Sequence, residues 1–161
     1  MEILDLYDKD LNLTGQTIVR GDKIPENCFI NIVVVFIQNS KGEFLIQRTS
    51  EVKGHKFAST GGHIKSGEDS LTTIQTEVYE ELGVLLDKSE FEFISHSTRN
   101  QVIFDIYYTK QDLDVANLKL QTEEVESAQW CTKQEIEEFI SQGIFSPSHT
   151  EFYNKFIKEN Y

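Results

Sequence analysis

Residues 61–84 read GGHIKSGEDSLTTIQTEVYEELGV and crowd four glutamates together, Glu68, Glu77, Glu80 and Glu81. The last three stand at i, i+3 and i+4, so a helix would project them from neighbouring positions. Like carboxylates at that spacing repel, roughly a few tenths of a kcal/mol for each exposed pair. Either water screens them or a cation is meant to sit between them. Mg²⁺ and Mn²⁺ take carboxylate, carbonyl and water oxygens without needing a dedicated cage. Gly62, expected in the turn before the helix, has no side chain to keep its carbonyl from a ligand or metal. Glu68 could brace the loop or reach the metal from the side. The plainer alternative is a solvated stripe of helix glutamates, which is commonplace on exposed faces.

The helix that must carry these groups is expected over 69–82. Ser66 is expected to cap it, Asp69 sits at its positive end and Gly83 ends it. Leu71, Ile74, Val78 and Leu82 form the stripe that docks on a sheet. FINIVVVFIQN (29–39) reads as a strand buried on both faces, NSKGE as a turn and FLIQRTS (44–50) as the next strand. EVKGHKFAST reads as irregular. Upstream, a hairpin is expected over about residues 1–20, with its turn around Gly15. Downstream, 90–99 and 101–110 alternate as antiparallel strands joined by a tight turn near Asn100. AQWC is a short strand, and residues 133–160 hold two helices, one ended by Gly143 and one started at Ser146-Pro147. No repeat interrupts this order, so the reading is one α/β domain over residues 1–161.

A chain of 161 residues with 39% hydrophobic and 11% aromatic side chains has enough apolar material to bury a core without disulfide or metal staples. Cys28 and Cys131 lack partners at ligand spacing and read as free thiols of a reducing cytoplasm. MEILDLYDKD lacks the basic-then-apolar pattern of a secretory leader, and the run around INIVVVFI is far short of the ~20 residues of a membrane span. A cytoplasmic protein is expected. The net charge of −12 repels duplex nucleic acid. A small phosphorylated ligand bridged by a divalent cation remains compatible with it.

The spacing from Gly62 to Glu68 and then to Glu77-Val78-Tyr79-Glu80-Glu81-Leu82-Gly83-Val84 resembles the Nudix box, G-x5-E-x7-R-E-U-x-E-E-x-G-U with U aliphatic, over residues 62–84. Every fixed position matches except Thr76, which stands where the family has arginine. The flanking elements resemble the Nudix α/β/α sandwich, with a mixed β-sheet and an N-terminal β-hairpin, over essentially the whole chain. The resemblance implies hydrolysis, dependent on Mg²⁺ or Mn²⁺, of a diphosphate linked to another group X. The substrate would be a small nucleoside-diphosphate-like or other organic diphosphate compound. It further implies that Glu77 and Glu81 bind metal with the Gly62 carbonyl, that Glu80 completes the metal shell or its water network, and that Glu68 supports it. The general base in relatives is a box glutamate or a carboxylate from a later loop, here Glu123 or Glu124.

An arginine at position 76, one turn before Glu80, could fork onto a carboxylate and hold the cluster in register. Threonine cannot. The alternative function is therefore a Nudix-fold binding or regulatory module that has lost turnover, unless Arg48, Lys56 or Lys65 supplies the missing cation from another element. Arg48, Lys56 and His63 are the candidate phosphate contacts, with His55 beside them. Phe57, Phe104, Tyr107 and Trp130 either stack on a base or fill the core. LDLYDKDLNLTGQTIVRGD, with FLIQRTS and FASTGGH, is similar to the subgroup related to isopentenyl-diphosphate isomerase. That isomerisation needs a cysteine just before the Gly-His pair, where Gly61 stands, so it is not expected. The hairpin could also pair across a homodimer.

Overall fold

A computed structural model describes residues 1–161. The chain opens with an antiparallel hairpin of β1 (Ile3–Tyr7) and β2 (Leu13–Val19). Its turn is not at Gly15 but at residues 8–12, where the Asp8 carboxylate accepts from the backbone N–H groups of Asp10 and Asn12 at 2.8 and 3.0 Å. An aspartate that binds its own downstream backbone substitutes for a backbone turn, and Leu11 takes the left-handed φ of 62° that closes it. Gly15 lies inside β2 with φ 82°, in the stretch where the register against β1 shifts.

The main sheet is built on β3 (Ile30–Gln38), the apolar run, with both faces buried. Around it stand β4 (Phe44–Thr49), β5 (Phe57–Ala58), β6 (Thr60–His63), β7 (Glu92–Arg99), β8 (Val102–Lys110) and β9 (Val125–Cys131). The order is β5-β4-β3-β8-β7, with β6 along β3 and β9 along β4. Only β3 and β8 run parallel, which makes the sheet mixed. Alternation along β3 divides the core. Val33, Val35 and Ile37 pack with Ile74, Val78 and Leu82 of α1 (Ser70–Leu82). Val34 and Phe36 pack on the other face with Ile136 of α2 (Lys133–Ser141), Phe152 of α3 (Pro147–Phe152), and Tyr153 and Ile157 of the wider turn that continues α3. The result is the expected α/β/α sandwich.

The stretch read as irregular is more ordered than its composition suggests. It contains a 3₁₀ turn at Glu51–Lys53, then β5, and it ends at the start of β6. Small and polar residues hide these strands from an apolar-alternation reading, although Ala58, Ser59 and Thr60 are all buried. The segment also shapes the molecule. β3 and β4 share a single registered pair, Gln38 with Phe44, and then part. The edge of β4 is taken by β5 and the edge of β3 by β6, so residues 57–63 cross from one strand to the other and a cleft opens at the fork.

Helix α1 is capped by Asp69 rather than Ser66, its carboxylate accepting from the Thr72 N–H at 2.7 Å. Ser66 has other work. Its hydroxyl donates to one Asp5 carboxylate oxygen at 2.7 Å while the Gly67 N–H donates to the other at 3.0 Å, which ties the hairpin to the loop before α1. Gly83, at φ 74°, ends the helix as expected. No helix is long and apolar enough to cross a membrane. Replacing Asp69 by Ala should therefore lower the unfolding free energy in urea by about 1 kcal/mol. Ser66→Ala should instead speed amide exchange in residues 3–19 with little effect on α1; equal loosening of α1 by both variants would contradict this division.

Candidate active site

The fork between β3 and β4 forms a cleft of about 900 Å³. Docking of α1 through Ile74, Val78 and Leu82 turns Glu77 and Glu81 under its floor, while Glu80 lies at the exposed edge. Glu81 is 3% exposed. Gln47 of β4 donates to its carboxylate at 2.9 Å, and the Thr60 hydroxyl donates to the Gln47 carbonyl oxygen at 3.2 Å, so β6, β4 and α1 are joined by side chains at this point. Glu77 lies against Gly62, where any Cβ would collide with its carboxyl group. Gly62 is thus a strand residue paired with Val33 rather than part of a turn, and its missing side chain makes room for Glu77.

The buried Glu81 and the half-buried Glu77 are both hard to ionise. Desolvation, reinforced by the charges of Glu80 and Glu124, raises Glu77 to about 7. Desolvation also raises Glu81, to about 8; the Gln47 hydrogen bond opposes this, while Glu77 and Glu124 add to it. None of the protein's ion pairs includes Glu77, Glu80 or Glu81. Lys65 comes nearest to that role. Burial works against its charge, yet Glu2, Glu80 and Glu68 hold its ammonium above the ordinary value, and its own field eases the ionisation of Glu77.

Of the residues singled out in the sequence, Gly62, Glu77, Glu80, Glu81, Glu124, Lys56 and His63 all line the cleft. Glu124 is held by Lys53 at 3.5 Å, whereas Glu123 is exposed and gives only its backbone carbonyl to Ser50. Lys56 donates to the Gly143 carbonyl at 2.8 Å. Desolvation, with the positive field of Arg20, lowers the His63 imidazole to about 4, so it is neutral near pH 7. Glu68 and Arg48 are not brought to the cleft. Glu68 accepts from the Thr73 hydroxyl at 3.2 Å on the first turn of α1. Arg48 turns outward over the Phe57 ring and pairs with Glu126 at 3.6 Å, because the side chain of β4 that points to α1 is the neighbouring Gln47. Among the four aromatic candidates only Phe104 lines the cleft; Phe57 stacks on Phe139, Tyr107 packs with Phe91, and Trp130 donates to the Leu113 carbonyl.

Several cleft residues were absent from the sequence reading. Arg20 and Glu2 arrive from the hairpin, Lys53 from the 3₁₀ turn, Lys119 from the connection between β8 and β9, and His149 from α3. They stand alone in their segments, so no local spacing marks them. Together Arg20, Lys53, Lys56, Lys65 and Lys119 bring five of the chain's fifteen basic residues to one cleft of a protein with net charge −12. Glu2, Glu77, Glu80, Glu81 and Glu124 line the same cleft, so charges of both signs meet there, as a phosphate held through a cation and basic side chains would require. No three Asp, Glu, His or Cys side chains converge as a ready-made metal cage.

The NUDIX domain family model matches residues 29–156. An uncharacterised Nudix hydrolase of Listeria monocytogenes is 34% identical over 153 residues, covering 91% of this chain and 89% of its own length. A crystal structure from Deinococcus radiodurans superposes with a TM-score of 0.82 at 21% identity, over 96% of this chain and 98% of that one. The Nudix domain of Shewanella oneidensis NrtR, solved with ADP ribose, has a TM-score of 0.64 at 12% identity, over 78% and 84% of the two chains. The chain belongs to the Nudix family and is a hydrolase of that family, whose members hydrolyse nucleoside diphosphate derivatives.

Two outcomes are expected. Glu77 and Glu81 bind protons more tightly folded than unfolded, so their contribution to stability is present below about pH 4.5 and is lost as pH rises through about 7 and 8. In the metal-free protein the melting temperature should fall across that window, and Glu81→Gln should flatten the fall; an unchanged slope would count against the burial described. Gly62→Ala should leave the fold intact yet displace Glu77, because the collision is with the free end of a side chain. Substituting Gly61 should be more disruptive, since its Cβ would strike the Val33 backbone carbonyl. Circular dichroism melts of the two variants compare these costs.

Proposed function

We propose that this chain hydrolyses the diphosphate link of a small nucleoside-diphosphate-like or other organic diphosphate, using Mg²⁺ or Mn²⁺ held by Glu77, Glu80 and Glu81 with the Gly62 carbonyl. The observation that carries this reading is the pairing of the buried Glu81 with the half-buried Glu77 one turn away, neither with an ion-pair partner. Their oxygens suit a hard divalent cation, and the lack of a ready-made cage accords with an ion that keeps several waters and takes others of its ligands from substrate phosphate. Bound there, the cation would neutralise phosphate charge and lower the pKa of an attacking water.

The chain's own residues divide the remaining tasks. Lys53, Lys65, Arg20 and Lys119 surround the anionic part of the substrate with positive charge. Glu124, oriented by Lys53, accepts the proton of the attacking water at a carboxylate oxygen, with Glu80 as the other candidate base. Glu68 supports the cluster through Thr73 and the first turn of α1. A fold neighbour bound to ADP ribose, itself a diphosphate, is consistent with this substrate class.

The sequence likeness to the isomerase-related subgroup extends to a hairpin that contributes Glu2 and Arg20 to the cleft. Isomerisation itself is disfavoured, because position 61 has no room for any side chain and neither Cys28 nor the buried Cys131 lines the cleft. Thr76 makes no side-chain hydrogen bond to the carboxylates, and Lys65 provides in part the field that an arginine there would supply.

Release of phosphate or monophosphate from a panel of nucleoside diphosphate compounds with Mn²⁺ tests the reading. Glu77→Gln and Glu81→Gln should each reduce kcat by more than the roughly 10–100-fold typical of outer-shell partners. Thr76→Arg should raise kcat modestly. A wild-type chain inert across the panel, with activity appearing in Thr76→Arg, would establish the binding-module alternative instead.

A further inference from the structure

Away from the carboxylates, the cleft crosses to the other face of β6. Thr60 and Gly62 face α1, as their contacts with Gln47 and Glu77 establish. On the opposite side, next to the β5–β6 crossing, the lining consists of Ser59, His149, Ser148, Phe104 and Ile32. None of these side chains carries a formal charge near pH 7, and Lys56, which also lines the cleft, directs its ammonium to the Gly143 carbonyl at 2.8 Å. Two polar groups of this lining have unused hydrogen-bonding capacity. Ser59 is 2% exposed and its hydroxyl oxygen is buried with no partner. A hydroxyl buried that way costs about 1–3 kcal/mol unless something bonds to it. Native proteins retain such groups rarely, and each calls for a reason.

His149 supplies the second group. The Ser59 backbone N–H donates to its Nδ1 at 3.0 Å. A backbone amide cannot surrender that proton, so Nδ1 must present a lone pair and the imidazole's single proton must sit on Nε2. Nε2 has no hydrogen-bond partner in the protein, and His149 lines the cleft. Protonation of Nδ1 would set two donors against each other. Desolvation acts in the same direction, holding the imidazole at about 4. The residue is thus a fixed neutral donor rather than a titrating one. Phe104, 7% exposed, and the partly buried Ile32 supply an apolar wall beside it.

We infer that Ser59 and His149 form the subsite for the group attached to the diphosphate, and that they select an uncharged planar ring bearing a carbonyl acceptor. The inference rests on the hydrolase reading for its orientation in the cleft. His149 Nε2–H donates to the carbonyl, Ser59 Oγ bonds a neighbouring polar atom of the ring, and Phe104 with Ile32 packs against its apolar surface. Ser59 and His149 thereby set specificity without touching the phosphorus that reacts.

The test uses binding, not turnover. Uridine monophosphate is the probe with a carbonyl-bearing ring, and methyl phosphate is the probe without one. Calorimetry on the full chain should find uridine monophosphate bound at least about tenfold more tightly, the worth of one or two net hydrogen bonds plus packing. Ser59→Ala and His149→Leu should each remove most of that advantage, whereas His149→Gln, which keeps an acceptor and a donor, should retain part of it. Ser59→Ala should melt no lower than wild type, because the lost hydroxyl has no partner; a purely structural role would show the reverse pattern. Imidazole ¹⁵N spectra should report the Nε2–H tautomer from about pH 5 to 8, with that resonance moving on addition of uridine monophosphate but not methyl phosphate. Equal affinity for the two probes, or selectivity untouched in both Ser59→Ala and His149→Leu, overturns the inference. Selective binding without hydrolysis of any diphosphate would sink the hydrolase reading and leave the subsite standing. Hydrolysis without selectivity would do the opposite.

Discussion

The buried Glu81 and the half-buried Glu77 one turn away, neither in an ion pair, set the terms for the rest of the structure. Raising Glu81 from 4.5 to about 8 means that its ionised form costs on the order of 5 kcal/mol more in the fold than in water. The fully buried Ile74, Val78 and Leu82 on the same helix offset this, at about 1.5–3 kcal/mol for each side chain. Docking of α1 is therefore strong enough to carry the glutamates inward, and Gly62 is the point where the sheet yields space for them. A positive charge placed beside these oxygens would remove most of the penalty, which is the physical ground for the metal role proposed above.

The same constraint explains why the cleft lies where it does. Were β3 and β4 paired along their length, no gap would admit a ligand above Glu77 and Glu81. They meet at one registered position and diverge, and the edges exposed by the divergence are covered by β5 and β6. Those two short strands belong to a single passage of chain. It carries Thr60 toward the Gln47–Glu81 pair and Ser59 toward His149, so one backbone segment connects the charged and uncharged parts of the cleft.

How much of this could be read in the sequence depended on whether the signal was local. The glutamates at i, i+3 and i+4 and the apolar stripe of α1 follow from helical geometry alone, and β3 declares itself by its run of branched residues. The strands at 57–63 did not, because small and polar residues stand there in place of an apolar alternation. Gly15 resembles a turn, but the Asp8 side chain makes the turn at residues 8–12, immediately before β2 begins at Leu13. Arg48 has the chemistry of a phosphate contact, but its parity on β4 turns it away, since Gln47 occupies the side that meets α1. Arg20, Lys53 and His149 each come from a different element and meet only through long-range pairing, which no single segment encodes.

That scattering bears on Thr76. An arginine in the helix would have stabilised the glutamates through one local ion pair, fixed by i, i+4 geometry. Here the positive charge is spread over Lys65 near Glu80 and Glu77, Lys53 at Glu124, and Arg20 at Glu2. Each of those cations already has an acidic partner outside the Glu77–Glu81 pair. The arrangement therefore surrounds the carboxylates with balanced charge rather than neutralising them, and leaves Glu77 and Glu81 themselves as the largest unmet electrostatic demand in the cleft.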